Sequence, residues 1–114
     1  MKAISIKEPW ASLIRDGRKS IETRTWVTNY RGDILLCASK DPKTDISGNA
    51  FAVAELYDIK PMTKKDEKAA GCKIYPRAQS WFLRNIRPII PFEIQGRLGI
   101  FDTKINPEDL NYYG

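Results

Sequence analysis

Residues 34–38 (Ile-Leu-Leu-Cys-Ala) form a continuous apolar run of strand length, and this run constrains the fold more than any other segment. An apolar run without polar alternation is typical of a strand that is buried on both faces. The turn Asn29-Tyr30-Arg31-Gly32-Asp33 leads into it. We therefore predict that this run is the central strand of a sheet covered on both sides.

Further strand patterns surround the central run. They cover residues 3–6, 20–26, 51–57 and 80–85. Pro88 and Pro91 restrict the segment after them to edges or turns, and residues 92–95 and 97–103 resemble a final strand pair. Five or six short strands with two or three short helices favour a small curved or closed sheet, because such a sheet must protect its edges.

Two short helices are predicted between these strands. The first has Pro9 at its first helical position, where the missing N–H costs nothing, and it ends at Gly17 in the left-handed conformation. Trp10 lies on its apolar face, so we expect this side chain to be a core anchor. The second helix covers residues 64–70 and stops at Gly71.

The chain has 114 residues, which is room for one domain, residues 1–114. Its tail, residues 105–114, carries a helix-start signal at Asn106-Pro107, compatible with a short helical lid. No apolar run approaches the roughly 18 residues that a membrane span needs, and the first residues lack the apolar stretch of a signal peptide. We expect a cytoplasmic protein without a membrane partner.

The absence of histidine excludes several chemistries. Serine and cysteine hydrolases with a histidine base, HExxH zinc sites and Cys/His deaminase sites all need imidazole. Cys37 and Cys72 are far apart in sequence, so we expect buried thiols in a reducing compartment rather than a metal site. No glycine-rich phosphate-binding motif occurs. We predict no metal and no cofactor.

The net charge of +5 is unevenly distributed. Residues 60–87 contain many cations but only two carboxylates, Asp66 and Glu67, and Tyr75, Trp81 and Phe82 lie among them. The cations are Lys60, Lys64, Lys65, Lys68, Lys73, Arg77, Arg84 and Arg87. Such mixing suits single-stranded nucleic acid, which needs cations for phosphates and flat rings for bases. Composition alone favours the alternative, a solvated basic face on a soluble protein.

Residues 17–24 contain the pattern G-x-K-x-x-E-x-R, formed by Gly17, Lys19, Glu22 and Arg24. This pattern resembles the signature of the ASCH family, relatives of the PUA RNA-binding domain. The likeness continues through Ser5-Ile6, Pro9-Trp10-Ala11, Tyr30-Arg31-Gly32, Cys37-Ala38-Ser39 and residues 96–101, and thus covers nearly the whole chain. It implies an α+β fold, a PUA-like small mixed or antiparallel β-barrel with flanking short α-helices. Cys37 stands where family members often have histidine, so one cleft contact should differ.

The resemblance implies a cleft in which Lys19, Glu22 and Arg24 meet RNA or a nucleobase. Lys19 would bind a phosphate or, if burial lowered its pKa, act as a base. Glu22 can accept hydrogen bonds from an exocyclic amine, and Arg24 can donate to a phosphate or base edge. Spacing alone favours a solvated strand face, and the family resemblance reverses that preference.

Other residues complete the predicted nucleic-acid-binding set. Trp26 shares a strand face with Glu22 and is a candidate for base stacking, although sheet packing is an alternative. Tyr30 and Arg31 either contact the ligand or shape their turn, and Ser39 either contacts the ligand or caps a turn. The full set is Lys19, Glu22, Arg24, Trp26, Tyr30, Arg31, Ser39 and Lys40.

Three functions are compatible with this set. The first is a module that binds RNA, another single-stranded nucleic acid or a modified nucleotide. The second is a small hydrolase, a ribonuclease or an amidohydrolase on acylated cytidine, with Lys19 and Glu22 as acid–base residues. The hydrolase pattern has threonine at position 22, so either Ser20, Thr23 or Ser39 replaces it as nucleophile, or Glu22 activates water. The third is a regulatory protein-interaction module. No sequence signal indicates an oligomeric state.

Overall fold

The central strand predicted from the apolar run is present in the computed structural model, which describes residues 1–113. The last residue of the predicted domain and tail, Gly114, lies outside this range. Six strands form one sheet in the order β2-β5-β4-β3-β1-β6. Their bounds are β1 Lys2–Ile6, β2 Ile21–Arg24, β3 Gly32–Ala38, β4 Asn49–Pro61, β5 Gln79–Glu93 and β6 Ile100–Asp102. The β1–β3 pair is parallel and the other pairs are antiparallel.

The sheet curls into a partial barrel. Three strands separate β2 from β1 in the sheet order, yet the Arg24 Nη2 atom on β2 donates a hydrogen bond of 2.7 Å to the Ser5 carbonyl on β1. This contact requires the sheet to fold back on itself. The mixed, curled sheet with short helices confirms the predicted PUA-like α+β fold.

Both faces of β3 are buried, as the apolar run predicts. Ile34 and Leu36 point into the main core cluster inside the curl, together with Trp81. Leu35 and Cys37 point the other way into a second cluster, which the tail residue Leu110 helps to cover. Alternate side chains of one strand thus belong to two cores, which explains why the run has no polar positions.

The first helix, α1, covers Trp10–Arg15, with Pro9 one position earlier than predicted, at the N-cap. Gly17 has a φ of +78°, which confirms the predicted left-handed end. Just before the helix, Glu8 is buried, and its carboxylate accepts hydrogen bonds from the Ser12 amide at 2.7 Å and from the Ser12 and Thr44 hydroxyls. Burial raises the pKa of Glu8, but these hydrogen bonds outweigh it and the net shift is downward.

The second predicted helix forms as two short pieces, a 3₁₀ turn at Lys64–Asp66 and α2 at Glu67–Ala70. Gly71 ends it with a φ of +70°, as expected. The tail forms one 3₁₀ turn, Pro107–Asp109. No helix within residues 1–113 is long and apolar enough to cross a membrane.

Several strand predictions were wrong in extent or pairing. The strand predicted over residues 20–26 ends at Arg24, and β4 is longer than residues 51–57. The final strand pair does not form, because β5 continues to Glu93 and β6 pairs with β1 instead.

The two prolines do not end β5, and the reason lies in its pairing. β2 pairs with β5 only from Gln79 to Phe82, so the later part of β5 has one edge without a full partner strand. A proline is tolerated there because its missing N–H interrupts no complete ladder. The β4–β5 ladder also contains register shifts near Pro88.

Candidate functional site

The curl of the sheet leaves a cleft of about 690 Å³ between β1, β2, α1 and the loop at residues 94–99. All three signature side chains, Lys19, Glu22 and Arg24, line it. The remaining lining consists of Ser5, Lys7, Trp10, Thr23, Ser39, Cys72, Tyr75, Arg97, Leu98 and Gly99.

Lys19 is buried at the floor of the cleft, with only 2% of the residue exposed. Its Nζ donates a 2.6 Å hydrogen bond to the Ile21 carbonyl and another to the carbonyl of Ala70, the last residue of α2. The Glu22 Oε1 atom lies 3.5 Å away. The three N–H directions of the ammonium therefore all face protein acceptors. Burial lowers the pKa of Lys19, while the Glu22 charge opposes that shift.

Glu22 lies between two cations and is 9% exposed. Lys19 faces its Oε1 atom, and the Arg24 Nε atom donates to its Oε2 atom at 2.9 Å. Alternation along β2 places Glu22 and Arg24 on one face, and the turn before β2 brings Lys19 beneath them. Arg24 also bonds to Ser5 through Nη2, which leaves its Nη1 without a hydrogen-bond partner within residues 1–113. The carboxylate is thus fixed in place and keeps acceptor capacity toward the cleft.

Sequence comparison identifies the family. The model of the ASCH domain matches residues 4–93. The chain belongs to the ASCH domain family. It is 31% identical over 70 residues to Activating signal cointegrator 1 of Homo sapiens and of Mus musculus, a match that covers 60% of this chain and 12% of each relative. The matched region therefore spans only about an eighth of the length of these curated relatives.

Solved structures give the same fold. A crystal structure of ASCH from Zymomonas mobilis superposes with a TM-score of 0.70 at 17% identity, covering 95% of this chain and 89% of that chain. A tyrosine-to-phenylalanine mutant of the Zymomonas mobilis protein gives a TM-score of 0.66 at 16% identity, covering 95% and 91%. At this identity the likeness shows the fold alone.

Two tryptophan side chains lie differently from what the sequence suggested. Trp10, expected only as a core anchor, packs against the main core and also lines the ASCH cleft. Trp26, the expected stacking candidate, lies outside the lining, with its ring edge-on to Trp81 at 4.8 Å between centroids. Its ring also lies near Gly99 and 6.0 Å from the Arg24 guanidinium carbon, so Trp26 is close to the cleft without lining it.

Four other predicted residues are divided between the cleft and its surroundings. Ser39 lines the cleft, and Lys40 lies in a neighbouring hollow. Tyr30 and Arg31 donate to backbone carbonyls of their own turn and do not line the cleft. These bonds fit the turn-shaping alternative, and nucleic-acid contacts by Tyr30 and Arg31 stay a prediction.

The two cysteines differ. Cys37 lies in the second core cluster rather than in the cleft lining, so the contact change predicted for this position does not arise there. Cys72 was expected to be buried, but it is half-buried and lines the cleft. Its Sγ is 3.8 Å from the Thr23 Oγ1, which also accepts a 2.9 Å hydrogen bond from the Tyr75 hydroxyl. The sequence suggested Thr23 only as a replacement nucleophile and did not predict that Cys72 and Tyr75 would join it, because the three residues come from separate segments.

Two arginines of the basic segment at residues 60–87 are neutralised by carboxylates, whereas its five cations between Lys64 and Arg77 are exposed. Arg84 makes two hydrogen bonds to Glu55, at 3.1 and 2.9 Å, and stacks over Tyr57. Arg87 pairs with Asp33 at 2.9 Å. Within the described part of the chain, no group of three or more Cys, Asp or Glu side chains is placed to hold a metal ion.

Proposed function

We propose that the ASCH cleft binds the base of a single-stranded RNA nucleotide or of a modified nucleotide. The observation that carries the proposal is the buried Glu22 carboxylate, held between Lys19 and Arg24 on the cleft floor. A fixed carboxylate in a cleft repels phosphate but accepts hydrogen bonds from an exocyclic amine. Glu22 therefore reads the base, and a base with an amine is preferred.

The neighbouring residues take distinct parts. Lys19 is a positioning residue, because its donors are already used on carbonyl groups and on Glu22. Arg24 has spare donors at Nη1, and Arg97 at the rim makes no ion pair within residues 1–113, so both are available to a base carbonyl or a phosphate. Trp10 and Tyr75 supply aromatic surface in the lining, on which a base can stack.

The test compares cytidine and uridine 5′-monophosphates. Cytidine carries an amine at C4 and an acceptor at N3, whereas uridine carries a carbonyl at C4 and an N3–H flanked by two carbonyls that repel a carboxylate. Tryptophan fluorescence gives their dissociation constants. A hydrogen bond to a charged group contributes about 1.5–3 kcal/mol, so we expect cytidine monophosphate to bind about 10- to 100-fold more tightly. Glu22→Gln should remove most of this preference.

Two controls accompany this test. Arg84→Met removes an exposed cation that is paired with Glu55 away from the cleft, and both affinities should stay unchanged. Urea unfolding checks that Glu22→Gln remains folded. Equal affinities of the wild-type protein for the two nucleotides would contradict the assignment of Glu22.

The hydrolase remains a second candidate because a buried amine with a lowered pKa lies in the same cleft as hydroxyl groups. Thr23 and Ser39 line the cleft, whereas Ser20 is exposed and does not. Release of the acyl group from an N4-acylcytidine, or cleavage of RNA, would support this candidate if Thr23→Val abolished it while nucleotide binding persisted. Turnover unaffected by Thr23→Val and by Ser39→Ala would exclude both hydroxyls as nucleophiles.

A further inference from the structure

Two more hollows continue the cleft along the loop at residues 94–99. A middle hollow of about 450 Å³ shares Arg97 and Leu98 with the cleft. An outer hollow of about 650 Å³ shares Ile94 and Gln95 with the middle one. One loop therefore forms a wall of all three, and together they make one groove that leads away from the base-binding cleft.

The opposite wall is also continuous. Ser39 belongs to the cleft and the middle hollow, and Lys40 belongs to the middle and outer hollows. Lys40 and Gly48 line both the middle and the outer hollow. A Cβ atom on Gly48 would lie 3.5 Å from the Lys40 Cγ atom, so the lysine stem packs over this glycine where the two hollows meet. We call the middle and outer hollows together the basic groove.

The charges of the basic groove are available to a ligand. Lys40, Lys43 and Arg97 are exposed, and none of the three makes an ion pair within residues 1–113. Arg84 and Arg87, by contrast, are neutralised by Glu55 and Asp33. Glu93 in the outer hollow is the carboxylate in the lining of the basic groove.

We propose that the basic groove binds the sugar–phosphate backbone of the nucleotides adjacent to the one whose base occupies the cleft. This inference rests on the proposed function. A single-stranded polynucleotide fits because it carries one anion per residue and can place one unstacked base in a pocket while its backbone follows a line of cations. Leu98, which is 99% exposed between the cleft and the groove, offers apolar surface to a base or ribose that passes over it.

The experiment compares cytidine monophosphate with a single-stranded hexanucleotide that contains one cytidine, in RNA and in DNA form, over a range of salt concentrations. The hexanucleotide should bind more tightly than the mononucleotide and with a steeper salt dependence. The Lys40→Ala, Lys43→Ala double variant should bind the hexanucleotide more weakly. Its salt slope should fall by about 0.7 for each phosphate contact removed. Its affinity for the mononucleotide should stay unchanged.

Matched variants make the test specific. Lys64→Ala with Lys65→Ala removes two exposed lysines that line none of the three hollows, and it should leave the salt slope unchanged. Glu93→Gln removes the carboxylate of the basic groove and should tighten hexanucleotide binding. If both lysine pairs lower the slope equally, binding is diffuse and the proposal fails.

Two further outcomes separate this inference from the proposed function. Mononucleotide binding without any gain from the hexanucleotide would overturn the basic groove and leave the base-binding cleft intact. Absence of binding by either ligand would overturn the proposed function, and with it this inference. Oligoglutamate that displaces the hexanucleotide as well as unlabelled hexanucleotide does would overturn the assignment of the basic groove. A surface that does not distinguish these two polyanions is not a nucleic-acid site.

Discussion

Replacement of Lys19 by methionine tests whether the buried ammonium holds the cleft floor together. Methionine keeps most of the apolar stem, so little cavity is created. The change leaves the carbonyls of Ile21 and Ala70 without their donor, and each unsatisfied carbonyl costs about 1–3 kcal/mol. It also leaves Glu22 buried without one of its two cations. Loss of one partner of a buried pair typically costs about 3–5 kcal/mol, and the two carbonyls add to this, so we expect Lys19→Met to lower the free energy of unfolding by at least about 3 kcal/mol.

Urea unfolding followed by tryptophan fluorescence measures the loss, with Lys104→Met as the exposed control, expected within about 0.5 kcal/mol of the wild type. A double-mutant cycle with Glu22→Gln isolates the pair. In the Glu22→Gln background Lys19→Met should cost at least about 1 kcal/mol less, because no unpaired carboxylate remains. A loss below about 1 kcal/mol for Lys19→Met, or strict additivity in the cycle, would refute the reasoning.

Three further predictions follow from individual contacts. The pKa of Glu8 is lowered in the folded state, so the ionised Glu8 stabilises the protein above its usual pKa, and this contribution is lost as the pH falls. In urea unfolding, the stability difference between wild type and Glu8→Gln should therefore shrink between about pH 6 and about pH 3. Burial raises the pKa of Cys37 to about 12, whereas Cys72 lines the cleft. Ellman's reagent should therefore modify only Cys72 in the native protein, and more slowly when a nucleotide occupies the cleft. Both thiols should react after unfolding. A Cβ on Gly96 would lie 2.5 Å from the Ser5 Oγ atom, so Gly96→Ala should cost about 1 kcal/mol or more, and adding Ser5→Ala should recover much of this loss.

The part of the site that could be predicted is the part that local geometry determines. Glu22 and Arg24 are two residues apart on a strand, so they must share a face wherever the strand lies. The family resemblance added Lys19, and the structure brings all three to one cleft. The central strand was predictable for a similar reason, since its apolar run leaves no face for solvent.

The rest of the cleft depends on contacts that no local pattern determines. Trp10, Tyr75 and Arg97 come from distant segments, and only the curl of the sheet brings them to the same cleft. The basic segment shows the reverse case. Its charge pattern suited either single-stranded nucleic acid or a solvated face. Arg84 pairs with Glu55 on the adjacent strand β4, and Arg87 reaches across β4 to Asp33 on β3, contacts that depend on the register of the sheet. The prolines suggested that the strand ends before Pro88, but β5 continues to Glu93. Whether a strand edge lacks a partner depends on the whole sheet, so the sequence did not reveal that prolines are tolerated there.

The hydrogen bond from Arg24 to Ser5 limits how this protein can be redesigned. One guanidinium both points toward the ligand space and fastens two strands that are not sheet neighbours. A substitution at position 24 intended to alter ligand choice would also loosen the curvature that creates the cleft. Arg97 and Leu98 also line the cleft, but their side chains make no hydrogen bond within residues 1–113 and so do not hold strands together. Libraries aimed at new nucleotide preferences should therefore vary these rim positions and keep the arginine.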